Sequence, residues 1–293
     1  MAVLHRSLGL HPLTPVSVSS EITRKAKSNL AIALNILPRD RRDDMVVFYA
    51  FCRTMDDLAD EPTHPPAERK AMLDAWKHGL LDGFPEPDPF QREVIELRDR
   101  HQIPNDLLCA IIDGCAMDLH PQRFGTWEDL QQYTWKVACA VGLVSIRLFG
   151  CKDPGSETYA VALGHALQLT NILRDVAEDL SNSARIYLPL ADLARFQYTE
   201  RDLIGRVHDG RFLALMAFEA DRADSLYQAA EAALPPADRQ ALLPARIMGE
   251  IYRTVLNKMR SDGFKVFKKR YSLSKARKLA ILSRHLLSRT GGE

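Results

Sequence analysis

The sequence predicts an all-α fold, a bundle of helices around a central cavity. Three observations predict it. Apolar residues recur at helical spacing along most of the 293-residue chain, and strand signals are few. The periodic stretches stop at prolines, glycines and capping residues. Two of these helices, more than a hundred residues apart, are apolar and yet carry stacked acids.

The elements follow in order. Residues 1–20 read as a flexible tail; the apolar stretch from Leu8 to Val18 is broken by two prolines, unlike a signal peptide. Glu21 to Leu37 reads as a helix ending before Pro38, and Arg39 to Glu61 as a second, stopped by Pro62 and the Pro65-Pro66 pair. Ala67 to Leu81 is helical and ends near Gly83; the proline-rich residues to Pro89 form a loop. Pro89 to His101 and Asn105 to Leu119 are helices, the latter with Asn105 as its expected N-cap. Thr126 caps a helix that bears Glu128 and Asp129 in its first turn and runs to Phe149. Asp153-Pro154-Gly155 is a turn, and Glu157 to Leu180 is the second acid-bearing helix. A short element starts at Glu200, and helices follow over Gly210–Leu234, Pro244–Arg260 and Leu273–Ser288.

Composition bounds the function. No Gly/Ser-rich linker, internal repeat or low-complexity block divides the chain, so residues 21–293 are expected to form one domain. The net charge of +1 gives no global reason to expect nucleic acid. The five cysteines form no CxxC pair, which argues against zinc and disulfides and for a reducing cytoplasm. No apolar run approaches the length of a membrane span.

The first acid stretch, YAFCRTMDDLADE, runs from Tyr49 to Glu61, directly after Met45-Val46-Val47-Phe48. On a helix it aligns Tyr49, Arg53, Asp56 and Asp60, because residues three and four apart are neighbours. Stacked carboxylates repel by roughly 0.2–0.5 kcal/mol, and burying them costs far more unless they are paired or bind a metal. The second stretch, QLTNILRDVAEDL, runs from Gln168 to Leu180 and aligns Gln168, Asn171, Asp175 and Glu178 or Asp179, with Arg174 at the edge. Facing each other in a bundle, the two would wall a cavity with acids on both sides. Oxygen ligands favour a hard cation, Mg²⁺ or Mn²⁺, and Mg²⁺ is typically shared between one or two carboxylates and substrate phosphates. The cavity is therefore expected to hold a phosphorylated ligand.

The strings CRTMDDLADE, LQLTNILRDVAEDL and RIYLP resemble the squalene/phytoene synthase family, from about Ser28 to about Arg277. The resemblance implies an all-α isoprenoid-synthase-type bundle that joins two prenyl diphosphates head to head with Mg²⁺. It implies Asp56, Asp60, Asp175 and Asp179 as metal ligands. It also implies that Arg53, Arg174 and Arg185 grip diphosphate, since Arg matches phosphate oxygens bidentately. Salt bridges within the motifs are the plainer reading of Arg53 and Arg174. Asn171 would bind diphosphate or its metal, and Gln168 would line the pocket or make a structural hydrogen bond. Tyr49 and Tyr133 match tyrosines that face the pocket, where a π face stabilises a carbocation; core packing is the alternative for both. Tyr252 and the Lys268-Lys269-Arg270 cluster match phosphate-side residues. The strings look most like bacterial squalene-pathway members, implying farnesyl diphosphate as substrate and presqualene diphosphate, squalene or a related C30 product, with phytoene from geranylgeranyl diphosphate as the alternative. The chain shows no glycine-rich dinucleotide fingerprint, and its residues leave NADPH use open.

Two departures from the family stand out. Ser28-Asn29-Leu30-Ala31 replaces an aromatic pair. Val137-Ala138-Cys139-Ala140-Val141-Gly142 carries Cys139 where the family has glycine; Cys139 is small enough to allow close substrate approach beside Ala138 and Val141, and the helix break is expected to rest on Gly142 alone. A carboxylate-bridged di-metal bundle is a poor rival, since it wants Glu-x-x-His on two helices and only Glu61-Pro62-Thr63-His64 fits. Lys265 to Arg289 holds nine Lys and Arg and no acid. With Ala276, Leu279, Ala280, Leu286 and Leu287 on one side, it reads as a solvated terminal helix, a peripheral membrane contact, or a non-enzymatic nucleic-acid or partner helix. No obligate protein partner is expected.

Overall fold

The computed structural model describes Ser19, residues 36–60 and residues 64–287. The expected tail, most of the first helix, the Ser28–Ala31 departure and residues 61–63 of the Glu-x-x-His match lie outside the described residues. Among the described residues there is no strand, only an isolated bridge between Arg123 and Ile186.

Twelve α-helices follow in the described residues: α1 Arg39–Asp60, α2 Pro66–Asp82, α3 Pro89–Arg100, α4 Asn105–Met117, α5 Trp127–Thr134, α6 Ala140–Phe149, α7 Gly155–Ser183, α8 Leu190–Arg195, α9 Glu200–Ile204, α10 Gly210–Ala233, α11 Leu243–Ser261 and α12 Lys275–Leu287. Local chemistry sets their ends. Asp88 with Gln91, Thr126 with Asp129, and Thr199 with Asp202 form reciprocal capping boxes for α3, α5 and α9. The expected cap at Asn105 is not made. Pro104 takes the N-cap position without a side-chain bond, and Asn105 is the first helical residue. Gly150 ends α6 in the left-handed conformation at φ 75°.

The helix expected from Thr126 to Phe149 is interrupted. Residues Trp135–Cys139 form a π-helical turn between α5 and α6, so the irregularity precedes Gly142 rather than resting on it. Gly142 serves helix packing: a Cβ there would stand 3.1 Å from the Ala160 carbonyl oxygen of α7. Gly164 does the same for the π turn, since its Cβ would meet Cys139 Cα at 2.8 Å. Cys139 is fully buried and its thiol donates to the Val161 carbonyl at 3.2 Å. Glycine on the opposing helix thus makes the room that Cys139 takes.

α7 is the axis of the molecule. Its 29 residues extend about 44 Å, and it packs against α6, α10, α11 and the π turn. One core, including Leu169, Leu173, Phe212, Met216 and Leu256, surrounds α7, α10 and α11. A second, including Phe48, Phe51, Leu73, Leu108 and Val144, joins α1 to α4 and α6. The cavity opens between them. No helix among the described residues is long and apolar enough to cross a membrane. On α12, Ile281 is buried, and Leu282 and Leu286 pack partly against the same cluster. Leu286 is half-buried, while Ala276, Leu279, Ala280 and Leu287 are exposed.

Candidate active site

A cavity of about 680 Å³ lies between α1, α4, the π turn, α6, α7 and α11. Its body is apolar, with Met45, Phe48, Val137, Ile146, Leu163 and Leu167 in the wall. Eleven of the residues expected from the sequence line it: Tyr49, Arg53, Asp56, Tyr133, Ala138, Val141, Gly142, Gln168, Asn171, Arg174 and Tyr252. Asp60, Asp175, Asp179 and Arg185 do not line it, but ion pairs tie three of them to the site.

On the α1 side, Arg53 pairs with Asp56 at 3.0 Å and also with Asp57. Asp60 accepts from Arg185 at 2.9 Å. Partial burial, then the adjacent Asp60 charge, pushes the Asp56 carboxyl up to about 6 against the pull of Arg53. On the α7 side, Arg174 grips Asp175 with two bonds of 2.9 and 2.5 Å, and Arg270 reaches the same carboxylate at 2.9 and 3.2 Å. Burial alone would raise Asp175, but these two arginines outweigh it and hold the carboxyl below its ordinary value. The Asp179 carboxylate has no arginine bonded to it among the described residues; burial and the Asp175 charge push it up to about 7 against the pull of Arg185.

Arg185 joins the two sides. Ala184 ends α7 at φ 50°, in the left-handed region that non-glycine residues rarely adopt, and this reverses the chain. The Arg185 amide then bonds to the Asp179 carbonyl at 3.2 Å, and its side chain reaches Asp60 and the Asp118 main-chain oxygen at 2.7 Å.

Asp118 was not evident from the sequence. It caps α4 and lines the cavity, where its carboxylate accepts from the Tyr133 hydroxyl at 2.8 Å and the Tyr187 hydroxyl at 2.7 Å. The two rings stack at 5.2 Å. Burial raises the Asp118 carboxyl, with the two phenols opposing. Tyr133 therefore combines the two readings open to it: its hydroxyl is satisfied in the core and it still lines the cavity. Arg270, expected only as part of a basic cluster, lines the cavity directly.

The donor set suits a hard cation that is shared with a ligand. Among the described residues no group of three or more acidic, His or Cys side chains converges on one point. Each side offers a carboxylate pair, as a metal completed by phosphate oxygens would need. Asn171 adds a neutral oxygen. Its Nδ2 donates to Gln168 Oε1 at 3.4 Å, while its buried Oδ1 has no partner, a deficit that a cation would repair.

Comparison with known proteins agrees with this geometry. Residues 23–277 match the squalene/phytoene synthase family. The chain is 34% identical over 287 residues to a protein of Synechococcus elongatus named 15-cis-phytoene synthase, covering 92% of each. It is also 34% identical over 268 residues to a presqualene diphosphate synthase of Zymomonas mobilis, covering 90% of this chain and 89% of that one. Among solved structures, a dehydrosqualene synthase in complex with ligand superposes with TM-score 0.77 at 28% identity, covering 92% of this chain and 95% of that one. A squalene synthase from Alicyclobacillus acidocaldarius gives 0.75 at 29%, covering 84% and 93%. A helical fold with two acid-bearing helices at one apolar cavity, matched along nearly its whole length, makes this chain a member of the squalene/phytoene synthase family and a prenyltransferase of that type.

Proposed function

We propose that this enzyme condenses two farnesyl diphosphates head to head into presqualene diphosphate and releases it. The observation that carries the proposal is the pair of acid-bearing helices, α1 and α7, beside one apolar cavity. Asp56, Asp60, Asp175 and Asp179, with Asn171, would hold divalent ions together with the substrate diphosphates. Bound Mg²⁺ supplies charge neutralisation of the leaving diphosphate. Arg53, Arg174, Arg185 and Arg270 exchange their carboxylate partners for phosphate oxygens, which match a guanidinium bidentately. The diphosphate leaves with the C–O bonding pair, the double bond of the second substrate attacks the allylic cation, and the tertiary cation so formed loses a proton to the departed diphosphate as the cyclopropane closes. Tyr49 and Tyr133 present π faces to that cation. Asp118 accepts the Tyr133 hydroxyl proton and so fixes the ring at the cavity wall. Gln168 and Tyr252 position substrate, and the Ala138, Val141 and Gly142 wall keeps water out.

Chain length is the finer claim. Met45 lines the cavity eleven residues before Asp56 on α1, about 16 Å along the helix. With Phe149 and Tyr159 it supplies bulk away from the acids, which supports the shorter C15 chain. Phytoene synthesis from geranylgeranyl diphosphate is the second reading, favoured by relatives of that name at equal identity. Incubation of the enzyme with each substrate and Mg²⁺, followed by product mass, decides between them. Parallel reactions with and without NADPH test release: squalene formed in high yield only with NADPH would overturn it. We read residues 21–293 as one catalytic unit, and the exposed basic and apolar face of α12 as a peripheral contact with anionic bilayers. Salt-dependent binding to anionic liposomes tests that contact.

A further inference from the structure

A second cavity, of about 530 Å³, lies between α7, α10, α11 and α12. Tyr159 and Leu163 of α7 line both cavities, so these side chains form a shared wall. Tyr159 stands sixteen residues before Asp175, about 24 Å along the helix, so this cavity is remote from the acids. Gly249 lets α11 close the wall, since a Cβ there would stand 3.1 Å from Leu163 Cδ1.

The lining divides by chemistry. Tyr159, Leu163, Tyr227, Ala230 and Leu234 supply an apolar part, and four arginines stand around it with Glu231, Glu250 and His285. Two of the four are neutralised. Arg253 pairs with Asp224 and Glu231, both at 2.8 Å, and Arg284 pairs with Glu250, which also bonds His285 at 2.7 Å. The other two are not. Neither Arg239 nor Arg246 has a carboxylate within ion-pair distance among the described residues, and the Arg246 guanidinium donates to the Arg239 main-chain oxygen at 3.3 Å. Burial and the Arg239 charge disfavour the charged form of Arg246, with Tyr159 and the Glu250 charge opposing. Two guanidiniums without an ion-paired carboxylate, Arg246 half-buried and Arg239 exposed at the mouth, stand beside an apolar hollow and form a receptor for an anion with a hydrocarbon tail.

We propose that this second cavity binds the phosphate or diphosphate head of an apolar-tailed molecule, with Arg239 and Arg246 holding the head and the Tyr227–Leu234 side receiving the tail. The head belongs either to a free prenyl phosphate or to a bilayer phospholipid; the chemistry is the same. The proposal stands apart from the reaction assigned above, because it uses none of the acids.

The test uses the full chain in EDTA, so that the acid walls carry no metal. Dodecyl phosphate, below its micelle-forming concentration, is titrated calorimetrically into wild type, Arg239→Gln/Arg246→Gln, and Arg53→Gln/Arg174→Gln. The first double variant is expected to lose one binding event, or to bind at least tenfold more weakly, with turnover at saturating substrate within twofold of wild type. The second double variant keeps that event. Leu234→Glu, which places a carboxylate in the hollow without touching the arginines, is expected to give the same loss and decides the matter should the arginine variant fold poorly. Phosphatidylglycerol against phosphatidylcholine vesicles separates the sources. A loss confined to dodecyl phosphate identifies a free phosphate, and a parallel loss of phosphatidylglycerol binding identifies the lipid head. Wild-type affinity for both probes in Arg239→Gln/Arg246→Gln and in Leu234→Glu overturns the proposal.

Discussion

The two acid walls repeat one sequence pattern, aspartates four apart on an apolar helix, yet they differ in charge state. On α1 the cavity-lining Asp56 is the raised group, and Asp60 is tied to Arg185. On α7 the order inverts: Asp175 is lowered by Arg174 and Arg270, and Asp179, one turn on, is pushed up to about 7. Exposure differs too. The Asp56 and Asp60 side chains are about half exposed, at 53% and 51%, whereas Asp175 keeps 15%. Spacing sets which carboxylates are neighbours. Burial pushes both Asp56 and Asp175 up, and it is the two arginines on Asp175, the adjacent Arg174 and the distant Arg270, that reverse it there.

The largest expected effect tests whether both walls are needed. Asp56→Ala and Asp175→Ala should each lower Mg²⁺-dependent turnover by roughly 10³-fold or more, with the helical circular dichroism unchanged. Substantial activity in both variants would sink the shared-metal assignment. Next, Arg270→Gln should remove half of the support of Asp175 and make α7 resemble α1. The Mg²⁺ concentration for half-maximal rate should rise about tenfold, more at pH 6 than at pH 8, because the released Asp175 then competes for a proton. An equal shift at both pH values would show that Arg270 acts on the substrate alone.

Gly164→Ala displaces the α7 wall and leaves α1 untouched. The clash with the Cys139 backbone should cost about 1–3 kcal/mol in denaturant unfolding, and wild-type stability would mean that the π turn yields freely. The smallest effect is on stability against pH. A carboxyl whose folded value is raised favours folding below its ordinary value of 3.8 and loses that contribution as pH rises through the folded value. Asp179 should therefore make the metal-free enzyme less stable between about pH 4 and pH 7. Asp179→Asn should flatten this fall and melt a few degrees higher than wild type at pH 8 in EDTA. Saturating Mg²⁺ with inorganic diphosphate should remove the difference. A wild-type melting temperature that stays level across this range in EDTA contradicts the assignment.

What the sequence made legible was local. The helices and the acid pairs could be read because a helix brings residues four apart together, and the Thr126 cap because its partner Asp129 is three residues on. The missing parts depend on partners far along the chain. Asp118 has no periodic acid near it, and Tyr187 reaches it across 69 residues. Arg270 finds Asp175 across 95, a distance over which a run of lysines and arginines gives no hint of which one turns inward. Asn105 looked like a cap because the residue type suits one, but Pro104, with its fixed φ, already starts the helix. Cys139 looked like a lost hinge, and only the opposing Gly164 explains why a side chain is tolerated there.

The π turn at Trp135–Cys139 carries one residue more per turn than the α-helices on either side of it. It has the form of a one-codon insertion kept within a continuous helix. Deleting a single codon there would let α5 and α6 heal into one regular rod, and everything beyond the join would keep its orientation relative to Tyr133, because the wide turn holds its extra residue without adding rotation. Val141 and Gly142 would still face the cavity, and Gly142 would still meet Ala160. A deletion of one residue between Gln168 and Asp175, where α7 has no wide turn to absorb it, would instead swing the acids by about 100° relative to Gln168.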